Sequence, residues 1–328
     1  MSLALLERHR DTLRHALSDA LSRDPEIFRA LRYHVGLEDD AGQPDDGMGK
    51  MVRPAIVMFI AEELGGSLDR ALHAAVGLEL VHNFSLIHDD IQDQDRTRRG
   101  RATLWTQLGE AQAINAGDLM HAIAISEALR SGPAIAERLL GATEAMIVGQ
   151  TLDLHFEDRA VDEAEYLHMI DHKTGALLRC AFELGGICAG ASEDVICDLR
   201  QLGHGIGRAF QIRDDVLGIW GNGDVFGKPQ GSDIRRRKKS YPVAVGFSRA
   251  ESGDRETLER IYAREPVREE DVEWVIRLLE RLGVRDSAAE QVRIHLEQAQ
   301  DAASRIALSE RGTNELNALI EFLARRQK

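Results

Sequence analysis

The sequence predicts an all-α protein, and three observations support this prediction. The 328 residues include only seven prolines, and none lies between Pro54 and Pro133 or between Pro133 and Pro229. These stretches are rich in Ala, Leu, Ile and Glu, and apolar residues recur at three- and four-residue spacing, as in ALHAAVGLELVHNFSLIH and AEYLHMIDHKTGALLRCAFELGG. No stretch alternates polar and apolar residues as a β-strand would.

Four breaks separate the helical stretches in order along the chain. They lie at 38–49, 96–103, 130–133 and 221–233, where turn-forming and charged residues cluster. From about residue 250 the chain is charged and amphipathic, which is typical of packing helices. No break has the length or composition of an interdomain linker, so residues 1–328 are predicted to form one domain.

Composition excludes several classes of protein. The chain is 43% hydrophobic and 29% charged, which indicates a folded globular protein. Its net charge of −14 argues against a nucleic-acid-binding protein. Cys180, Cys188 and Cys197 have the wrong number and spacing for a zinc site or disulfide framework, so reduced thiols in a cytoplasmic protein are expected. No run approaches the roughly 20 apolar residues of a transmembrane segment, and none resembles a signal peptide.

The stretch LIHDDIQDQDRTRRG, residues 86–100, collects aspartates at the end of an apolar helix and then reverses charge. Asp89 and Asp93 lie one turn apart on one face, with Asp90 beside them. Like charges repel there, and the C-terminal end of a helix disfavours anions. Mg²⁺ bound by these carboxylates would offset both costs. For this motif alone, a solvated acidic helix end balanced by the arginines is an equal alternative.

A second segment, AFQIRDDVLGIWG, repeats this arrangement. Asp214 and Asp215 lie in an apolar helical run, Gln211 precedes them by one turn, and a basic loop follows. Two such helix ends facing one another would hold metal ions, and the cations would bind the outer oxygens of a polyanion. Diphosphate bound through Mg²⁺ is the natural candidate, since no nucleotide-type phosphate loop is present.

These motifs together resemble those of the trans-isoprenyl diphosphate synthases of the polyprenyl synthetase family, and of geranylgeranyl diphosphate synthases in particular. The resemblance covers about residues 45–245. The motifs occur in the family's order: GKMVRP (49–54), HNFSLIHDDIQD (82–93), RRG (98–100), GQTLDL (149–154), KTG (173–175), FQIRDD (210–215) and GKPQGSD (227–233). One motif alone would be weak evidence, whereas seven in order are specific.

The resemblance implies a helical bundle around a central cavity, a homodimer, and a reaction between isopentenyl diphosphate and an allylic diphosphate. Ionisation of the allylic substrate, condensation and loss of a proton would follow one another. The cofactor implied is Mg²⁺, three ions per active site, with Mn²⁺ as an alternative. The implied metal ligands are Asp89, Asp93 and Asp214. The carboxylates expected to support them are Asp90, Asp153, Asp215 and Asp233.

The resemblance also assigns the substrate contacts. The allylic diphosphate would contact Arg98, Lys173, Lys228 and Lys238. Isopentenyl diphosphate would contact Lys50, Arg53, His82 and Arg99. Thr174 and Gln211 would point oxygen dipoles at the passing positive charge. Gln150 is expected to be a substrate-binding residue that supports the metal ions and the lysines. His82 taken alone would read as a core histidine.

One departure from the family pattern bears on activity. The second motif is usually DDxxD, but Gly218 stands at its last position, so one carboxylate is missing. If that carboxylate were essential, the chain would be a weak enzyme or a non-catalytic subunit. A class I terpene cyclase is the other alternative, but its second metal motif is not visible and it would not need the isopentenyl diphosphate site.

Product length is expected to depend on the residues before the first aspartate motif. Phe84 and Ser85 precede Asp89 by five and four positions. One aromatic and one small residue resemble the pattern of geranylgeranyl (C20) synthases, whereas an aromatic pair would have favoured farnesyl (C15). Farnesyl and longer polyprenyl products remain the alternatives.

Overall fold

Helices form almost all the regular structure of the computed structural model. The structure describes residues 3–23, 26–157, 159–221 and 229–325. The helices are α1 (Ala4–Arg8), α2 (Arg10–Ala20), α3 (Ile27–Val35), α4 (Val52–Glu63), α5 (Leu68–Gln92), α6 (Leu104–Leu108), α7 (Glu110–Ser131), α8 (Pro133–Phe156), α9 (Glu163–Lys173), α10 (Gly175–Cys188), α11 (Glu193–Trp220), α12 (Ser232–Arg235), α13 (Tyr241–Arg249), α14 (Ser252–Tyr262), α15 (Glu269–Arg281), α16 (Val284–Ser304) and α17 (Glu310–Arg325). Strands β1 (Thr97–Arg98) and β2 (Arg101–Ala102) pair antiparallel within the predicted break at 96–103. The all-α prediction is confirmed.

The chain divides into two compact units. Unit 1 comprises Met1–Thr143, Cys180–Cys197 and Ala307–Glu315, and unit 2 comprises Glu144–Arg179, Asp198–Ile306 and Leu316–Lys328. The single domain predicted for residues 1–328 stays a prediction. Within the described ranges, no helix has the length and apolar character needed to cross a membrane.

Unit 1 contains two long buried helices, α4 and α5. Every residue of α4 from Pro54 to Ala61 is buried, as expected of a helix that is apolar on all sides. The hydroxyl of Ser67 caps α5 by accepting a hydrogen bond from the backbone N–H of Arg70. The helix then packs along α7 and ends at Gln92. The first aspartate motif therefore lies at the C-terminal end of a buried helix, as predicted.

Unit 2 positions the second set of motifs on α8, α9 and α11. Asp162 and Glu165 form a capping box that starts α9. Asp171 on α9 accepts two hydrogen bonds from Arg208 on α11, at 2.8 and 2.7 Å. Although the apolar spacing continues through the KTG motif, the helix is interrupted at Thr174, where α9 ends and α10 begins.

The C-terminal third forms packing helices, as its amphipathic pattern predicts. On α15, the buried residues Val272, Val275, Leu278 and Leu279 recur at three- and four-residue spacing. They join a hydrophobic core that also contains Tyr166 of α9 and Tyr241 of α13. This core supports the elements that carry the second aspartate pair.

Candidate active site

The first aspartate motif occupies the last turn of α5 in unit 1. Asp89 is half-buried and Asp93, the C-cap residue, is exposed. The backbone N–H of Asp93 donates to the carbonyl oxygen of Asp89 at 2.8 Å, so the helical spacing holds to this point. The two carboxylates predicted to bind metal are thus one turn apart.

Asp90, between them, has a different environment. It is 1% exposed, and its Oδ1 accepts a hydrogen bond from Nε of Arg98 at 2.7 Å. Its Oδ2 is buried without a hydrogen-bond partner among the described residues. Burial raises the pKa of Asp90, although Arg98 acts in the opposite direction. Asp90 therefore anchors Arg98, and its predicted role in supporting the metal ligands stays a prediction.

A two-residue hairpin presents the arginine pair. Arg99 has φ 53° and Gly100 has φ 76°, so both central residues of the turn lie in the left-handed region that two-residue hairpins of type I′ require. Arg99 is exposed, and its guanidinium lies against Gly49, where a Cβ atom would come within 3.0 Å of it. The turn thus brings Arg99 to the loop that carries Lys50, which is also exposed.

Arg53 and His82 share a partly buried, positively charged environment. Burial lowers the pKa of Arg53, and the negative charge of Glu79 opposes this effect. Burial, and then the charges of Arg53 and Arg99, lower the pKa of His82 well below its ordinary value. His82 is therefore neutral at physiological pH. Glu79 is buried and accepts a hydrogen bond from Nδ2 of Asn83 at 3.0 Å.

A pocket beside these residues contains a group that the sequence did not single out. His34 of α3 lines it with Asp90, Arg98 and Arg99. Its Nε2 atom is buried and has no hydrogen-bond partner in the described part of the chain. Burial, followed by the two arginine charges, lowers the pKa of His34 to about 3. His34 is thus a neutral group beside three charged ones.

The predicted chain-length residues lie one turn or more before the aspartates. Phe84 is 6% exposed, and its ring packs against His121 of α7 at 5.0 Å between centroids. Ser85 is half-buried, and its hydroxyl donates to the carbonyl oxygen of His82 at 2.7 Å.

In unit 2, Asp215 is the centre of a buried hydrogen-bond network. Its side chain is fully buried and accepts from Nε2 of Gln211 at 3.1 Å, Nζ of Lys238 at 3.1 Å and the backbone N–H of Tyr241 at 2.9 Å. The hydroxyl of Tyr166 also donates to it. Four donors compensate the cost of burying the carboxylate. Asp215 is therefore committed to positioning its neighbours.

The Asp215 network extends to two more predicted residues. The hydroxyl of Thr174 donates to Oε1 of Gln211 at 2.8 Å. Burial alone would lower the pKa of Lys238, but the charges of Asp215, Asp233 and Asp153 raise it above the ordinary value. Lys238 therefore stays protonated and available to an anion.

Lys173 and Asp153 form a second pair, 2.5 Å apart, at a close crossing of α8 and α9. A Cβ atom on Gly149 would lie 2.6 Å from the Cα of Lys173, so only glycine allows this approach.

The remaining predicted residues lie on neighbouring helices. Gln150 follows Gly149 on α8 and is half-buried. Asp214 is half-buried on α11, and Asp233 is buried on α12. Lys228 lies outside the described residues.

The donor atoms fit a hard divalent cation, because Asp89, Asp93 and Asp214 offer carboxylate oxygens. Among the described residues, no group of three His, Cys, Asp or Glu side chains lies close enough together to bind a metal ion by itself.

Glu79, Tyr166 and His34 are the residues that sequence reasoning missed. Glu79 was detectable as the one acid in the apolar run AAVGLELV, residues 74–81, three residues before His82. Tyr166 and His34 gave no signal, because their neighbours Asp215 and Arg98 are distant in sequence.

Comparisons with known proteins identify the family of the chain. The polyprenyl synthetase family matches residues 45–279. The chain is 38% identical over 315 residues to a (2E,6E)-farnesyl diphosphate synthase of Mycobacterium bovis, covering 93% of this chain and 87% of that one. It is 35% identical over 331 residues to a geranylfarnesyl diphosphate synthase of Aeropyrum pernix, covering 96% and 99%.

A solved structure of a prenyl diphosphate synthase is also similar to this chain. The geranylgeranyl pyrophosphate synthetase of Pyrococcus horikoshii superposes with a TM-score of 0.90 at 34% identity, covering 99% of this chain and 98% of that one. The fold, the ordered motifs and these matches agree. The chain belongs to the polyprenyl synthetase family.

Proposed function

We propose that this prenyl diphosphate synthase condenses isopentenyl diphosphate with an allylic diphosphate and releases mainly geranylgeranyl diphosphate (C20). The observation that carries the proposal is that a buried aspartate holds a cation beside the predicted metal ligand in each unit. Asp90 holds Arg98 near Asp89, and Asp215 holds Lys238 near Asp214. Such positioned cations bind a diphosphate without reorganising.

In this proposal, Asp89, Asp93 and Asp214 would hold Mg²⁺, three ions per active site, and Arg98, Lys173, Lys228 and Lys238 would contact the oxygens of the allylic diphosphate. Mg²⁺, when bound, stabilises negative charge on the departing diphosphate. The lysines and Arg98 stabilise the same charge as the C–O bond breaks, which leaves an allylic cation. Thr174 and Gln211, linked by their hydrogen bond, orient oxygen dipoles toward that cation.

Isopentenyl diphosphate is proposed to bind through Lys50, Arg53, His82 and Arg99. Neutral His82 would donate a hydrogen bond without adding charge, since its pKa is lowered. The double bond then attacks the allylic cation, and a proton leaves the new carbon skeleton. The released diphosphate accepts that proton, so the protein need not provide a strong base.

One assay tests the reaction class. Purified chain is incubated with labelled isopentenyl diphosphate, each allylic diphosphate and Mg²⁺, and products are separated by chain length. Linear prenyl diphosphates are expected. Cyclic hydrocarbon would instead identify a terpene cyclase, and absence of turnover with every allylic substrate would identify a non-catalytic subunit.

Product length is proposed to depend on Phe84, which is buried against His121. Phe84→Ala should lengthen the product because it removes an apolar plug, whereas Ser85→Phe should shorten it toward C15. Mass spectrometry of the products gives the chain length. An unchanged distribution in both folded variants would contradict this assignment.

The homodimer and the cytoplasmic location belong to the same proposal. Exposed apolar side chains in unit 1, including Ile114 and Leu129 on α7, support a subunit contact. The cytoplasmic location rests on the cysteine usage described above.

A further inference from the structure

The hairpin that presents Arg98 and Arg99 rests on helix α3. Its second strand, β2, consists of Arg101 and Ala102, and Arg101 pairs with Arg98 across the hairpin. A hairpin with two residues in each strand has little stability of its own. The contacts that hold β2 therefore determine where the two arginines at the turn are placed.

Tyr33 of α3 contacts both residues of β2. Cζ of Arg101 lies over the Tyr33 ring, 4.0 Å from its centroid, which is a close cation–π contact. The hydroxyl of Tyr33 donates a hydrogen bond to the carbonyl oxygen of Ala102 at 2.9 Å. Tyr33 is 6% exposed. Burial and then the charge of Asp40 raise the pKa of Tyr33, although Arg101 acts in the opposite direction, so the hydroxyl keeps the proton that it donates.

Arg101 is bound by protein groups on other sides as well. Its Nη2 atom donates to the carbonyl oxygen of Glu38 at 2.6 Å, and its Nη1 atom lies 3.4 Å from Oδ2 of Asp45. These contacts and the Tyr33 ring fix the plane of the guanidinium. Arg101 therefore holds the hairpin against α3 and the loop that follows it.

The two arginines at the turn depend on this support to different degrees. Arg98 has an anchor outside the hairpin, since its Nε atom donates to Asp90 at 2.7 Å. The side chain of Arg99 makes no hydrogen bond or ion pair with another described residue and only packs against Gly49. Its position therefore follows from the hairpin itself.

We propose that Tyr33 is a positioning residue for the arginines at the turn, above all for Arg99, and that it acts through the two residues of β2. Tyr33 touches neither substrate. It fixes the strand from which the turn projects, so that the arginines bind a diphosphate without reorganising. The inference rests on the proposed function, in which Arg99 contacts isopentenyl diphosphate and Arg98 contacts the allylic diphosphate. Loss of Tyr33 should therefore weaken the binding of the two substrates unequally.

Calorimetry without turnover measures this difference. An unreactive thiolo analogue of dimethylallyl diphosphate is titrated with Mg²⁺, and isopentenyl diphosphate is then titrated into that complex. Tyr33→Phe keeps the ring and loses the hydrogen bond, so it should weaken the binding of isopentenyl diphosphate roughly 3- to 10-fold. Tyr33→Leu also loses the cation–π contact and should weaken it roughly 10- to 100-fold. Binding of the analogue should weaken by about twofold at most in Tyr33→Phe, because Asp90 still holds Arg98.

A double-mutant cycle with Arg99→Ala tests whether Tyr33 acts through the turn. Arg99→Ala should weaken the binding of isopentenyl diphosphate, and adding Tyr33→Phe should then change it by less than about twofold. Full additivity of the two losses would overturn the inference. Wild-type affinity for isopentenyl diphosphate in both Tyr33 variants, or equal losses for the two ligands, would overturn it as well.

Phe28→Leu is the matched control, because it trims another buried ring of α3, one that lies against Arg23. It should bind both ligands as the wild type does, and thermal unfolding compares its stability with that of the Tyr33 variants. A loss of isopentenyl diphosphate binding as large as in Tyr33→Leu would show that any loosening of α3 has this effect, which would overturn the inference alone. A wild type that does not bind isopentenyl diphosphate would overturn the proposed function.

Discussion

At the scale of single residues, Asp90 positions a charged group at the expense of folding stability. Asp90 is almost completely buried, and burial raises its pKa, so its ionised form is costly in the folded chain. Its contact with Arg98 compensates only part of that cost. The carboxylate is therefore better explained by the position it gives to Arg98 than by stability.

Asp90→Asn separates these two effects. The variant should lower kcat/KM for the allylic diphosphate roughly tenfold, because Arg98 loses a charge-assisted hydrogen bond. The free energy of unfolding should change by less than about 1 kcal/mol, since a neutral amide avoids the desolvation cost and Arg98 still reaches solvent. Steady-state kinetics and urea unfolding measure the two quantities. A large loss of stability with unchanged kcat/KM would show that the explanation is wrong.

His34 gives the fold a defined sensitivity to acid. Its pKa falls from 6.5 to about 3 through burial and then the charges of Arg98 and Arg99. Between these pH values the unfolded chain binds a proton at His34 and the folded chain does not, so stability falls as the pH falls. His34 alone makes the free energy of unfolding fall by up to about 1.4 kcal/mol for each pH unit in this range.

His34→Gln should therefore make the loss of stability below pH 6.5 less steep than in the wild type. Urea unfolding at neutral pH and at steps below 6.5 measures that slope. His15→Gln, on an exposed position of α2, is the control and should follow the wild type. Parallel curves for His34→Gln and the wild type would rule out this origin of the acid sensitivity.

Among the elements, the crossing of α8 and α9 sets the geometry of a predicted catalytic lysine. At Gly149 the two backbones meet, and a Cβ atom there would lie 2.6 Å from the Cα of Lys173. The same crossing brings Nζ of Lys173 to 2.5 Å from Asp153. A methyl group at 149 must therefore separate the helices and move the lysine.

Gly149→Ala should destabilise the fold by about 1–3 kcal/mol through overpacking and lower kcat with it. Gly141→Ala on the same helix meets open space and should stabilise by up to ~1 kcal/mol through helix propensity. Urea unfolding of the two variants compares an identical chemical change in two environments. Equal effects would mean that the close crossing is not energetically important.

Elements were predictable from sequence where one local pattern determined them. Apolar spacing predicted helices over α5, over the segment of α9 and α10 and over the end of α11, and charge clusters predicted the ends of α5 and α11. The interruption at Thr174 was not predictable, because apolar spacing continues through it. Contacts such as Tyr166 with Asp215 also escaped prediction, since only the folded chain joins residues so far apart.

At the scale of the whole molecule, net charge opposes self-association of the chain, whereas exposed apolar surface favours it. A net charge of −14 makes copies of the chain repel at long range, so self-association requires a specific apolar contact. Unit 1 offers one, since four of its exposed large apolar residues lie on α6, α7 and α8: Leu108, Ile114, Leu129 and Leu140. Leu129 is the most exposed of them, at 56%.

The proposed homodimer should therefore depend on α7. Light scattering should give twice the mass of 36.4 kDa for the wild type and the monomer mass for Ile114→Glu/Leu129→Glu, because buried carboxylates without partners cost several kcal/mol. Leu68→Glu changes an exposed leucine at the start of α5 and should leave the dimer intact. Higher salt should strengthen a dimer held by apolar contact, since it screens the repulsion between two negative chains. A monomeric wild type would refute the homodimer itself. A double variant that keeps the wild-type mass would refute only the placement of the contact on α7.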